Sequence, residues 1–538
     1  MTPLTDVRLM LAGARFLGGL PAFLRHRLSA QDAAETLARS LRTREQDFLA
    51  RTRRAVFDHP PSPYRQLFKL AGCEYGDLVR LVVEEGVEGA LRNLFRHGVY
   101  LTVDEFKGRR QAIRGNMALA VTPESLRNPL AAVHLPARTS GSRSAGTPIL
   151  FDLAFVRDCA VHTCLFLHAR GGDEWVKAVW ETPGAGARFR LLKYSAFGAT
   201  PYWFTQISPD APQLDPMFRW SERALRWGSR LAGFPLPAPQ HVPLTDPVPL
   251  SQWVAGVLQS GNVPHLFTFP SSALLLCQAA MDAVIDLSGA QFPLAGEPIT
   301  EARLKVIRRA GAEALPRYGS MECGPIGYGC LRPDAVDDVH VLRDLHALIQ
   351  PDPQDAGSGR PAQPLYVSSL HPRAPFIMLN VAMGDQAVMA ERSCGCPLEQ
   401  LGWTIHLREI RSYEKLTGAG VTFLDTDVIR VLEEVLPARF GGTPMDYQLL
   451  EEEAGDGHPR LRLLVHPRLG PLNERTVRDT LLSRLGTGSP VARIMEQLWR
   501  DIDILTLERR PPLATASGKI LHFHSSTRPQ AVGSATAR

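Results

Sequence analysis

No stretch of about 20 apolar residues free of charge occurs in the sequence, which argues against a membrane span. There is no block of like charge either. The 60 Lys and Arg residues face 55 Asp and Glu, a formal net charge of +5 at pH 7, so nothing calls for nucleic acid as a partner. Cysteine is sparse, eight in 538 residues at irregular spacing, where a secreted disulfide scaffold would be denser and smaller. A reducing cytoplasm is the expected setting. A secretory leader is not legible in VRLMLAGARFLGGLPAFLRHRLSA, because Arg15 interrupts the apolar run and no cleavage pattern follows. That run reads as a helix docked on the body. The alternative is association with a bilayer surface, with Arg8, Arg15, Arg25 and Arg27 towards phospholipid.

What is present is length and punctuation. A chain of 538 residues exceeds one ordinary hydrophobic core, so two or more domains are expected. Pro-rich loops at 208–216, 233–250 and 351–364 separate apolar strands from helical patterns, an α/β layering in which AEALPRYGS reads as a helix end and PLYVSSL as a strand. After residue 411 the texture changes. FLDTDVIRVLEEVLPARF reads as an amphipathic helix capped by Asp425 or Thr426, with Val428, Ile429, Val431, Leu432 and Val435 as its apolar stripe. MDYQLLEEEAGDGHPRLRLLVHP reads as a hairpin turning at Gly455–Gly457, and NERTVRDTLLSRLG as a further helix. That order suits a small α+β domain of about 120 residues beside a large α/β one.

HLPARTSGSRSAGTPILF, residues 134–151, concentrates hydroxyls and glycines in one turn. Gly141 and Gly146 allow backbone N–H groups to approach a ligand closely, and Thr139, Ser140, Ser142, Ser144 and Thr147 supply donors to an anion. A phosphate cradle and a plain surface loop are both open on composition alone.

Its company bears on that choice. AGEPIT (295–300), RYGSMECG (317–324), MGDQA (383–387), REIRSYEKLTG (408–418) and TASGKILHF (515–523) follow in order. Together they resemble the adenylate-forming superfamily of acyl-coenzyme A synthetases, nonribosomal adenylation domains and luciferases. SPYRQLFKLAG, LTVDEFKG and the CGC at 394–396 are most similar to the phenylacetate-coenzyme A ligase branch. The resemblance implies a large multi-subdomain N-terminal domain over 1–411, its first 130 residues largely helical, a small mobile C-terminal domain over 412–524, and a disordered tail over 525–538.

The resemblance also implies roles. Thr139, Ser140, Gly141, Ser142, Arg143 and Gly146 would hold the β- and γ-phosphates of ATP, Arg143 replacing the lysine that the family has where Ile149 stands. Gly296, Glu297 and Pro298 would line the adenine pocket, with Tyr318 and Gly319 against the base. Glu322 would hold Mg²⁺, Asp385 the ribose hydroxyls, Arg411 the ribose and hinge, and Lys519 the carboxylate and bridging oxygen. Two positions depart from the family. Met321 replaces a hydroxyl donor to the α-phosphate, and Tyr413 takes the acidic pivot of the hinge. Cys330, His340, Cys394 and Cys396 form an N/S set of the kind zinc prefers, with a structural role, as in some members of the branch. Cys73, Cys159, Cys164 and Cys277 read as buried hydrophobes.

The expected function is ATP-dependent activation of a small-molecule carboxylic acid, aryl or fatty, followed by transfer to coenzyme A. Transfer to an acyl carrier protein, an amine or a protein thiol is the alternative among enzymes. A nucleotide-binding scaffold without turnover is the alternative of another class. FTFPSSALLLCQ and YSAFGATPYWFTQ offer aromatic and apolar walls, with no evident charged partner for a polar acid.

Overall fold

The computed structural model describes residues 3–132, 135–138, 148–211, 216–351, 363–412, 415–418, 421–424, 428, 430–443, 446–453, 459–486, 490–513 and 523–525. Helices open the chain. In Pro3–Arg25 the described part buries Phe16, Leu20, Phe23 and Leu24, and the helix packs on helices Leu153–His168 and Pro216–Leu231. Its apolar face therefore belongs to the protein core. Among the described residues no helix is long and apolar enough to cross a membrane.

Twelve strands make the central sheet. In chain order they are β1 Val176–Glu181, β2 Tyr202–Thr205, β3 Gln240–His241, β4 Pro264–Phe267, β5 Gln291–Leu294, β6 Glu313–Ser320, β7 Gly324–Gly329, β8 Val339–Val341, β9 His346–Ile349, β10 Pro364–Ser369, β11 Val381–Glu391 and β12 Ile405–Ser412. Their spatial order is β9-β10-β11-β12-β8-β7-β6-β5-β4-β1-β2-β3. From β3 to β6 the pairing is parallel, and helices Ala185–Ala196, Val248–Gln259, Pro270–Asp282 and Glu301–Arg309 supply crossovers. Strands covered on both faces need not alternate, and β4 is buried at every position. From β6 to β9 the pairing is antiparallel.

The segment 312–320, expected to end a helix, instead forms strand β6 over Glu313–Ser320, the helix before it stopping at Arg309, and the change of direction of the sheet falls within that strand. Glu313 to Pro316 pair in parallel with Gln291 to Leu294, whereas Arg317 to Ser320 pair antiparallel with β7. The register shifts between Tyr318 and Gly319. A Cβ at Gly319 would lie 2.7 Å from the Gly324 carbonyl oxygen, so only glycine fits there.

A separate four-stranded sheet follows, with β13 Tyr447–Glu453, β14 Pro459–Val465, β15 Leu505–Arg509 and β16 Phe523–Ser525 in the order β15-β14-β13-β16. β13 and β14 are the antiparallel arms of the expected hairpin, whose turn lies outside the described residues. The expected helix after it is Glu474–Leu485, capped by the Asn473 side chain, which accepts from Thr476 N at 2.9 Å. Two boundaries differ from the sequence reading. Val421–Leu424 is a strand paired with Lys415–Gly418, so Phe423 and Leu424, read at the head of the following helix, belong to that strand, while the expected caps Asp425 and Thr426 lie outside the described residues. That helix widens to a π-turn over Val431–Val435 just before Pro437, which has no N–H to return to the preceding turn. Of its stripe Val428, Val431 and Leu432 are buried, while Asp425, Thr426 and Ile429 fall outside the described residues. Ser525, read as tail, is the last residue of β16, and 526–538 lie outside the described residues.

One buried side chain ties the N-terminal helices to the strand that carries Asp385. Asn380, fully buried at φ +50°, donates through Nδ2 to Leu91 O (2.8 Å) and Val99 O (3.1 Å) and accepts Leu101 N on its own carbonyl (3.0 Å). Its N–H donates to Ser368 Oγ on β10 at 2.8 Å. Asn380→Ala removes both side-chain hydrogen bonds to buried carbonyls and replaces a residue that tolerates left-handed backbone with one that does not. A loss of about 2–4 kcal/mol is expected, measured by urea denaturation.

Candidate functional site

The end of β6 and the turn that follows bring together residues from distant motifs. Tyr318 Oη donates to Asp385 Oδ2 at 2.9 Å, although β7, β8 and β12 lie between β6 and β11 in the sheet. The sheet therefore curves enough for these two ends to meet. Asp385 sits opposite Ser412 of β12, whose hydroxyl donates to Gly384 O at 3.1 Å.

Glu322 occupies the β6–β7 turn, 6% exposed, and its carboxylate forms an ion pair with the Lys107 ammonium. Lys107 follows the one-turn helix Val103–Phe106, itself started by a Thr102–Glu105 capping box. The carboxylate expected to hold Mg²⁺ thus already holds a cation from the chain. The position suits positive charge, and a metal ion would take it by displacing that ammonium.

The Gly296–Glu297–Pro298 turn is differently engaged. Gly296 has φ +89°, and a Cβ there would meet the Phe269 ring at 3.2 Å. Glu297 is buried and accepts Ser271 N (3.0 Å), Ser271 Oγ (2.7 Å) and Arg303 Nη1 (3.0 Å). Arg303 also donates to Pro298 O at 2.8 Å. This carboxylate pins the turn to helices Pro270–Asp282 and Glu301–Arg309.

Arg411 donates to Asp337 Oδ2 at 2.8 Å and to Ile410 O at 2.7 Å. Asp337 also accepts the N–H groups of Glu409 and Ile410, each at 2.8 Å, and so stabilises the left-handed backbone at Glu409, φ +56°. The loop residues Thr139, Ser140, Gly141, Ser142, Arg143 and Gly146 lie outside the described residues, as do Tyr413 and Lys519. The strands that flank the loop, Leu135–Arg138 and Pro148–Phe151, pair antiparallel, so the loop joins two arms of a hairpin.

The four proposed metal ligands converge. One donor atom from each of Cys330, His340, Cys394 and Cys396 lies within 4.8 Å of all the others. His340 Nε2 is 3.2 Å from Cys396 Sγ and 3.7 Å from Cys394 Sγ. Its Nδ1 donates to Trp403 O at 2.5 Å, which leaves the Nε2 lone pair towards the sulfurs. Burial pushes the His340 pKa down to about 4, so the ring is neutral, as a ligand must be. Burial raises the Cys330 and Cys394 thiols. It also works against the Cys396 thiolate, but the surrounding Leu331, Glu399 and Leu398 N–H groups and the Cys394 thiol hold that pKa below the usual thiol value. Three sulfurs and one imidazole fit a closed tetrahedral site. Asp338 and His406 support it from behind. His406 Nδ1 is 2.7 Å from Asp338 Oδ1, and Arg392 bridges Asp338 Oδ2 (2.5 Å) to Cys330 Sγ (3.6 Å).

Sequence reasoning passed over Lys107, Asp337, Asp338 and His406. The adjacent Asp337-Asp338, two residues before His340, was the available signal. Lys107 stands in the quoted LTVDEFKG, but nothing local pointed to its partner, which lies 215 residues away.

The Lys107–Glu322 pair is largely buried, with 21% and 8% of the side chains exposed. Removal of one partner takes the ion pair from a largely buried charge. Lys107→Met is expected to cost about 1–3 kcal/mol. Lys107→Met combined with Glu322→Gln should cost less than the two single changes added together, a double-mutant cycle readable by urea denaturation.

No protein-family model matches the chain, and no curated protein matches it. Solved structures do. 2-Hydroxyisobutyryl-CoA ligase, in complex with 2-HIB-AMP and CoA in the thioesterification state, aligns at a TM-score of 0.57 and 14% identity, covering 94% of this chain and 92% of that one. An o-succinylbenzoate CoA synthetase from Bacillus subtilis aligns at a TM-score of 0.41 and 13% identity over 76% and 72% of the two chains. The first likeness spans nearly the whole of both molecules, and on it the chain has the fold of the adenylate-forming enzymes.

Proposed function

We propose that the protein activates a carboxylic acid with ATP as an acyl-adenylate, releasing pyrophosphate, and then passes the acyl group to the thiol of coenzyme A. A carboxylate is a poor acyl donor because oxide would have to leave. Attack by its oxygen on the α-phosphorus of ATP expels pyrophosphate and installs AMP as a good leaving group. The coenzyme A sulfur then attacks the carbonyl carbon, AMP departs, and the thiol proton passes to solvent.

The observation that carries this reading is the Tyr318–Asp385 hydrogen bond, which brings two motifs 67 residues apart to the mouth of the β6–β7 turn that holds Glu322. Tyr318 and Gly319 would lie against the base, Gly296–Pro298 would wall it, and Asp385 would bind the ribose hydroxyls. Glu322 would hold Mg²⁺, which when bound offsets the charge of the triphosphate. Residues 139–147 would cradle the β- and γ-phosphates. The likeness to a ligase that binds an acyl-AMP and CoA supports the same chemistry. An aryl or fatty acid fits the apolar walls, and an acyl carrier protein is the second acceptor. Residues 1–411 would form the large domain and 412–524 a small one that turns between steps about Arg411–Glu414, which takes Lys519 to the site only for adenylation. All eight cysteines are unpaired thiols, which suits the cytoplasm.

Lys519→Ala should lose about 10² to 10³ in the rate of pyrophosphate release, the usual worth of one positioned donor to developing charge. Given a synthetic acyl-adenylate and coenzyme A, the same variant should form thioester near the parental rate. Equal loss in both assays would reject the rotating small domain, and no loss in either would reject Lys519 as the catalytic lysine.

The Cys330, His340, Cys394, Cys396 set is proposed to hold one structural zinc ion. Elemental analysis of protein purified without chelator should give about one zinc per chain, and Cys396→Ala should lower both zinc content and Tm. A metal-free preparation of full stability would refute this assignment.

A further inference from the structure

Behind β6 lies a group of buried basic and polar side chains that the reaction above does not use. Arg317 directly precedes Tyr318 and points to the opposite face of the strand. It is only 9% exposed, and its Nε and Nη2 find no hydrogen-bond partner. Its guanidinium carbon lies 4.6 Å from the centroid of the Tyr328 ring. Tyr328 Oη is 2.8 Å from Thr163 Oγ1, which also receives Lys193 Nζ at 3.4 Å. Lys193 is 4% exposed and has no carboxylate in ion-pair contact among the described residues. The Tyr194 hydroxyl and both ring nitrogens of His265, all fully buried, are also without partners. The carboxylate that belongs to this region, Glu181, is taken up by Arg190, which donates to its two oxygens at 2.8 and 2.7 Å.

A buried charge is tolerated when paired, and arginine does not escape by releasing its proton. Burial pushes the Lys193 pKa well down, and a negative charge placed beside it would favour its protonated form. Arg317 Nε and Nη2, the Tyr194 hydroxyl and the His265 ring nitrogens, buried without hydrogen-bond partners, together with Lys193, which has only the Thr163 hydroxyl, form a cluster with no negatively charged acceptor of its own among the described residues.

We propose that Arg317, with Lys193 and Tyr194, binds a second carboxylate at the far end of the acid substrate, so that the protein selects dicarboxylic over monocarboxylic acids. The identification of the bound anion as a substrate rests on the adenylation reading, whereas the binding itself does not. The absence of an evident charged partner in the sequence has a simple cause, since the cluster is assembled from β6 and helices Leu153–His168 and Ala185–Ala196.

Isothermal titration of the full chain without nucleotide, using phenylacetate against 1,4-phenylenediacetate and hexanoate against adipate, tests the proposal. In at least one pair the dianion should bind 10-fold or more tightly than the monoanion. Arg317→Met should erase that gap, and Lys193→Met should reduce it. ATP affinity, titrated separately, should be unchanged in both variants. Because Arg317→Met removes an unpaired buried charge, its ligand-free Tm should stay level or rise. Equal affinities within both pairs, a gap that survives Arg317→Met, or a clear fall in its Tm would overturn the proposal. If dianion selectivity holds but neither ATP binding nor pyrophosphate release is found with any acid, the adenylation reading fails and the anion site stands.

Discussion

A single strand, Glu313–Ser320, has to satisfy two neighbours that run in opposite directions, and the rest of the site follows from that demand. Its first half is bonded in parallel to β5 and its second half antiparallel to β7. In open α/β sheets ligands collect beyond the carboxyl ends of the parallel strands, where the order of the sheet changes. Here that place coincides with the end of β6. The tight return to β7 is possible because Gly319 and Gly324 carry no side chains, the latter at φ +83°. Alternation along the strand then divides the labour. Tyr318 turns to Asp385, while Arg317 turns into the core between the sheet and its helices.

Three carboxylates near this strand illustrate how environment, not residue type, assigns a task. Glu297 is fully engaged by Ser271 and Arg303 and acts as a joint between helices. Asp337 holds a bulge in β12 and fixes Arg411. Glu322 is matched by one lysine that comes from a different part of the chain and sits at the end of a four-residue helix. Of the three it is the one whose counter-charge is able to move without unravelling a turn.

Much of this was legible in advance because it depends on local spacing. The order of the glycine-rich and acidic motifs implied the fold, alternation in 446–466 implied the hairpin, and Cys330, His340, Cys394 and Cys396 meet as their types suggested. In the stretch 423–440, read as a helix capped by Asp425 or Thr426, Phe423 and Leu424 instead satisfy a strand ladder. The partners of Arg411 and Glu322 escaped notice for another reason. Ion pairs leave no periodic trace, and Lys107 and Glu322 are separated by 215 residues. The buried basic cluster was hidden likewise, since Lys193 and Arg317 each look like an ordinary surface cation within their own segments.

The clasp formed by Asn380 also has a bearing on how the protein is made. The carbonyl of Leu91 waits for a side chain that lies 289 residues later in the sequence. At roughly 5–20 residues per second on the ribosome, that interval is about 15–60 seconds. For most of it, once they have left the exit tunnel, the N-terminal helices stand with Val99, Leu101 and Phe106 uncovered, since their partners Asn380, Val381 and Phe376 are not yet translated. The nascent chain is therefore a client for whatever holdase binds exposed apolar segments. Slower translation between residues 107 and 380 lengthens the window in which it can aggregate.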